Sequence, residues 1–121
     1  MKYLCLIYQD ESSWRNLPKA QSEKMYGEYF AFTESIKQSG HYLGSNPLEP
    51  ARTAITVRVR NGNILTTDGP FAETKEQLGG YYLIEARDLR EAVQVAARIP
   101  GARHGSVEVR PVMDVPVTTP V

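Results

Sequence analysis

The chain has 121 residues, 41% hydrophobic and 23% charged, and its 14 Lys plus Arg balance 14 Asp plus Glu. Such values argue against disorder and against a membrane-spanning protein, and without a basic excess they argue against nucleic acid as a partner. A single cysteine leaves no internal disulfide framework, which points to a reducing, cytoplasmic setting.

KYLCLIY (2–8) is apolar at both parities, the pattern of a strand covered on both faces. Cys5 in its middle is expected as an inert core thiol. The apolar run is too short for a secretion signal and ends in acid. Residues 9–19, with Ser12, Ser13, Asn16 and Pro18, read as a loop. From Gln21 to Ser39 the period becomes helical. Met25, Tyr29, Phe32 and Ile36 make one stripe, widened by Tyr26 and Phe30. Gly40 closes the helix in a left-handed conformation, and His41-Tyr42-Leu43 leave extended.

RTAITVRVR (52–60) alternates, and Asn61-Gly62 is a strong hairpin signal because both turn positions need positive φ. A two-residue turn pairs Val59 with Ile64, Val57 with Thr66 and Ile55 with Asp68, so Asp68 ends the hairpin. GYYLIEA (80–86) is a further strand. Asp88 with Glu91 opens a second helix, whose buried stripe is expected at Leu89, Ala92, Val93, Ala96 and Ile99. Pro100-Gly101 stops it, SVEVRPV (106–112) is the last strand, and VPVTTPV is a surface tail or reaches a partner. The order β-α-β(β)-β-α-β predicts a single α+β domain over 1–121. Its plan is the ferredoxin-like split βαβ, with an antiparallel sheet and an added hairpin strand.

In that plan both helices cover one sheet face. The other, expected to carry Arg58, Arg60, Tyr81, Leu83, Glu85, Glu108 and Arg110, is too apolar along strand one to stay bare, which predicts a homodimer. Arg58 and Arg110 could grip a carboxylate as forks; the plainer reading is cross-strand ion pairs. Phosphate-loop, GxGxxG, CxxC and GxSxG patterns are all missing, so neither cofactor nor metal is expected. His41, just past a helix C-terminus, is either an acid–base group or an ordinary half-exposed histidine. His104 reads as a solvent-facing turn residue.

The stretch TDGPFAETKEQLGGYY (67–82) is specified beyond turn chemistry. Asp68 is either the acceptor of an Asx turn or a base at a cleft mouth. AETKEQL reads as a short helical cover, and Gly79-Gly80 lets the next strand begin. Phe71, Glu73 and Lys75 are left unexplained by turns, and are candidates for function.

The runs TDGPFAETKEQLGGYYLIE (67–85) and IPGARHGSVEVRPV (99–112), with KYLCLIY, the aromatic helix and LGSNPLEP (43–50), resemble the DGPF-domain branch of the YCII-related proteins. The resemblance implies a dimeric α+β barrel. It also implies a setting near sigma factors, hence an alternative role as a regulatory module with a protein partner. In the neighbouring YCII branch a helix His and an Asp form a proposed dyad of dehydrochlorinase type. The matching positions here are Tyr29 and Ile99, so that dyad is not carried over. The reading drawn from both lines is a homodimer that binds a small molecule between the first helix, the sheet and the 68–79 loop. Tyr29, Phe71 and Tyr82 would wall it, Asp68, Glu73, Lys75 and Arg110 would make polar contacts with the ligand, and Asp68 and His41 would move protons in any lyase-like, metal-free step.

Overall fold

The computed structural model describes residues 1–72 and 74–116. The first strand, β1 (Lys2–Gln9), pairs antiparallel with β5 (Gln77–Glu85) on one side and β6 (Ser106–Pro111) on the other; β2 (Tyr42–Pro47) lies beyond β5. The sheet order β2-β5-β1-β6 is that of the ferredoxin-like α+β plan. Along β1 the pleat sends Tyr3, Cys5 and Ile7 to one face, and Tyr82 and Ile84 of β5 join them. The helices α2 (Lys19–Gln38) and α3 (Leu89–Ala96) close that face with Phe32, Ile36, Ala92, Val95 and Ala96, and Ile99 follows from beyond α3. Cys5 is fully enclosed as expected, and burial pushes its thiol up to about 11.

The hairpin has the expected register. β3 (Ile55–Arg60) and β4 (Asn63–Asp68) pair Val59 with Ile64, Val57 with Thr66 and Ile55 with Asp68. Asn61 and Gly62 take φ of 51° and 77° at the turn. The hairpin does not join the main sheet, however; it forms a two-stranded sheet of its own. The place beside β5 is taken by β2, which the sequence reading treated only as an extended exit from the helix. After β2, Pro50 and a 3-10 turn (Ala51–Thr53) lead the chain away before β3 begins. Arg58 and Arg60 therefore leave the open sheet face. Arg58 instead lies over the Phe71 ring at 5.6 Å, on a different sheet from Arg110, so the two make no shared carboxylate fork.

Residues 9–19 are not all loop, because Glu11–Arg15 form a short helix, α1. Asp10 caps it: Ser12 N–H and Ser12 Oγ–H both donate to Asp10 Oδ1, at 3.0 and 2.7 Å. These bonds hold the Asp10 carboxyl below its ordinary value.

The helix stripes also need correction. Tyr26 and Phe30 are 64% and 69% exposed, and only Phe32 and Ile36 of α2 are buried. On α3, Leu89 and Val93 are half exposed while Val95 is buried. The capping pair is present, with Glu91 N–H donating to Asp88 Oδ1 at 2.9 Å. The AETKEQL run forms no helix among its described residues, and β5 already starts at Gln77. Glu73 and residues 117–121 of the tail lie outside the described residues.

Candidate functional site

Where β1 ends, the chain turns through Asp10 into α1 and then through Pro18 into α2, and the two helices diverge around a cleft of about 280 Å³. Trp14 and Leu17 line one side and Met25 the other, with Gln9 at the floor and Lys24, Glu28 and His104 as the charged or titratable lining. Trp14 is braced edge-on by Tyr26, with ring centroids 6.1 Å apart. That contact explains why an aromatic residue sits on the outer face of α2.

The wall α1 is pinned at its first residue and closed on itself at its end. Ala51 N–H donates to Glu11 Oε1 at 2.7 Å, Glu11 N–H donates to Gln77 Oε1 at 3.2 Å, and Asn16 Nδ2–H donates to Ser12 O at 3.0 Å. Behind the floor, Gly101 and Gly105 permit close approach. A Cβ at Gly101 would run into the Gln9 side chain and come within 2.5 Å of the Tyr29 hydroxyl. One at Gly105 would overlap the Tyr8 carbonyl oxygen. Tyr29 is held in this packing, and burial raises its phenol above the ordinary value against the opposing hydrogen bond from the Gly101 backbone.

The electrostatics of the cleft are one-sided. Glu28 is engaged by Arg103. Lys24 and His104 make no ion pair among the described residues, and both line the cleft beside its apolar walls. A second, shallower groove of about 490 Å³ runs along Tyr8, Thr74, Glu76, Ser106, Val107 and Glu108. Its carboxylates are already engaged. Glu76 accepts from Ser106 Oγ at 2.8 Å, and Glu108 pairs with Arg110.

The residues singled out from sequence are dispersed. Asp68 ends β4 exposed, and its carboxylate accepts no hydrogen bond among the described residues; the Gly69 N–H goes to Ala54 O at 2.7 Å instead. The turn is closed by backbone and not by an Asx contact. Phe71 is 80% exposed against Arg58. Lys75 lies near Asp10 at the start of α1, and Tyr29 borders the cleft floor through Gln9. Tyr82 is core, edge-on to Phe32 at 5.1 Å and bonded to Thr33 at 2.7 Å, with its phenol raised by burial. Arg110 sits on β6 beside Glu108.

His41 is built into a helix-to-helix clasp. Its N–H donates to Ile36 O and that of Gly40 to Lys37 O, closing α2 with Gly40 at φ 82°. Its ring lies 2.6 Å from Ser39 Oγ through Nδ1 and 3.1 Å from Glu91 Oε1 through Nε2. Glu91, held below its ordinary value chiefly by the Arg87 hydrogen bond, thereby ties the end of α2 to the start of α3. No hydrogen bond or ion pair joins His41 to Asp68 among the described residues. His41→Ala should lower the melting temperature by a few degrees. Titrations of the α1/α2 cleft should be unchanged, as calorimetry and binding on the same sample would show.

The missed residues are those of the cleft itself: Trp14, Leu17, Lys24 and Gln9 with His104. Asp10 followed by Glu11 was a usable helix-start signal, hidden by the serines and Pro18 around it.

A mixed α+β domain of ferredoxin-like order, with a separate hairpin and a helix-lined cleft, is the class these features define. The model of the YCII-related domain matches residues 1–116, and the chain belongs to that family. An uncharacterized protein of Rhizobium meliloti (strain 1021) is 38% identical over 113 residues, covering 92% of this chain and 91% of its own.

Proposed function

We propose that the protein is a cytoplasmic homodimer that binds a small molecule carrying an anionic group in the cleft between α1 and α2. The observation that supports this reading is the lining: Trp14, Leu17 and Met25 offer apolar walls, while Lys24 and His104 make no ion pair among the described residues. Apolar walls with a few convergent polar groups are the usual build of a small-molecule site, and at about 280 Å³ this one suits a ligand of a few heavy atoms to one aromatic ring. The cleft lies where β1 leads into α1 and is lined by none of the described residues of the 68–79 loop.

Trp14 is the only tryptophan, so its fluorescence reports this cleft directly. Titration with small aromatic and aliphatic carboxylates should change its emission at micromolar to millimolar concentration. Lys24→Ala should weaken the best ligand at least about tenfold, roughly one close charge contact, and added salt should do the same. Carboxamides of the same shape should bind worse. Unchanged emission across the panel, or equal affinity in Lys24→Ala, would refute the reading.

A further inference from the structure

Where α2 ends, one hydroxyl has no structural task. The last turn of the helix is closed by backbone. Ser39 N–H donates to Ser35 O at 3.1 Å, Gly40 N–H to Lys37 O at 3.2 Å and His41 N–H to Ile36 O at 2.9 Å. Three of the four carbonyls that a helix end leaves open are thereby met. The tie to α3 needs only the His41 ring and Glu91. The Ser39 hydroxyl stands exposed, 2.6 Å from His41 Nδ1 and 3.3 Å from Ile36 O, and that oxygen already holds the His41 amide.

Elementary chemistry then orients the ring. An ionised carboxylate can only accept, so Nε2, 3.1 Å from Glu91 Oε1, carries the hydrogen. In the neutral imidazole Nδ1 is therefore the acceptor, and the donor it faces is Ser39 Oγ–H. Hydroxyl, imidazole and carboxylate stand in series, the arrangement that activates a serine nucleophile on unrelated folds. Arg87 fixes the far end: its backbone N–H donates to Glu91 Oε1 at 3.2 Å and its Nε–H to Oε2 at 2.5 Å. The His41 and Glu91 side chains are only 20% and 18% exposed, so the base and its orienting group are sheltered while the hydroxyl faces water. Ser39 lies eleven residues beyond Glu28, roughly 16 Å along the helix axis, and is separate from the α1/α2 cleft.

We propose that Ser39 is a nucleophile that takes an acyl group from an activated ester, with His41 as its base and Glu91 as the residue that positions His41. Ser39 Oγ bonds to the acyl carbon, and the bond from that carbon to the leaving oxygen breaks with its electron pair. The Ser39 proton passes to His41 Nδ1 and on to the departing oxygen. Water, deprotonated by the same ring, then adds to the acylated serine, releasing the carboxylic acid and restoring the hydroxyl. The turn itself sets the substrate class. The N–H groups of Ser39, Gly40 and His41 are all bonded to α2 carbonyls, so the turn offers a developing oxyanion no donor. Only an acyl donor with a weakly basic leaving group, such as an aryl ester, suits it.

The test uses para-nitrophenyl acetate. Nitrophenolate release is followed by absorbance, and the acyl group is located by intact mass and peptide mapping. The wild type should carry an acetyl group on Ser39 during turnover. Ser39→Ala should lack that adduct and, the position being exposed, should keep the fold by circular dichroism. His41→Ala should slow acylation of Ser39 at least about 100-fold, the lower end of what a positioned base supplies. Glu91→Ala adds a readout that lost stability alone would not produce. By NMR the His41 ring nitrogens should report hydrogen on Nε2 in the wild type and a mixture with the Nδ1–H form in the variant, with slower acylation. Acetylation confined to lysines, or Ser39 acetylated as fast in His41→Ala as in the wild type, would overturn the proposal. A wild-type rate in Glu91→Ala would overturn the role given to Glu91.

Discussion

Ile36→Ala is expected to remove about 2–5 kcal/mol of stability, read as a lower urea midpoint at unchanged slope. Ile36 is 0% exposed and faces a core that includes Ile84, also 0% exposed. The surrounding elements cannot close easily over the cavity. β1 and β5 are fixed by their ladder, and the end of α2 is clamped by the Gly40 closure and the His41–Glu91 clasp. The effect should be large because the helix is held so narrowly: of its 20 residues only Phe32 and Ile36 are buried. Phe30→Ala, on the opposite side of the same helix, should change stability by less than about 0.5 kcal/mol. Equal losses from the two substitutions would show that α2 packs on its aromatic side instead.

The second large effect is a pH dependence carried by Cys5. In the folded protein its thiol stays protonated up to about 11, while in the unfolded chain it ionises near 9.0. Between those values the unfolded state binds fewer protons, so stability falls as pH rises. The contribution is fully present below pH 9 and is lost as pH passes through 11, at most about 3 kcal/mol. Tyr29 and Tyr82, both raised by burial, act in the same direction at higher pH. Comparison with Cys5→Ala removes their share, since both proteins keep them. The variant should start less stable at pH 8 and lose less between pH 8 and 11. Parallel curves would mean that the thiol is reached by water before unfolding. Alkylation at pH 8 gives an independent check and should be slow, limited by opening of the β1 core.

Local chemistry was legible and long-range partnership was not. Asn61-Gly62 dictated the hairpin and its register because the positive φ values are a property of those two residues. Nothing within 52–68 says which other strand will or will not lie alongside, and among the described residues none does. β2 was passed over because YLGSNP lacks alternation and ends in proline, yet an edge strand needs neither full alternation nor every N–H. The aromatic residues of α2 satisfy two stripes at once, and only the sheet's position selects Phe32 and Ile36 over Tyr26 and Phe30. The cleft was the least legible part. One wall is a five-residue helix inside a segment rich in loop formers, and the polar groups come from three separate parts of the chain. By contrast the DGPF stretch, prominent in sequence, supplies the root of the hairpin and the approach to α1.

Glu11 has a mechanical consequence. Its carboxylate holds the amide of Ala51, the first residue of the turn that launches β3, while its own helix forms the Trp14 wall. The cleft wall and the hairpin root are thus joined through one side chain. A displacement of α1 is thereby passed to the root of the hairpin, and a displacement of that root is passed back to α1. The two elements share a lever, and Glu11→Gln, which keeps the acceptor oxygen but drops its charge, is the mildest way to slacken it.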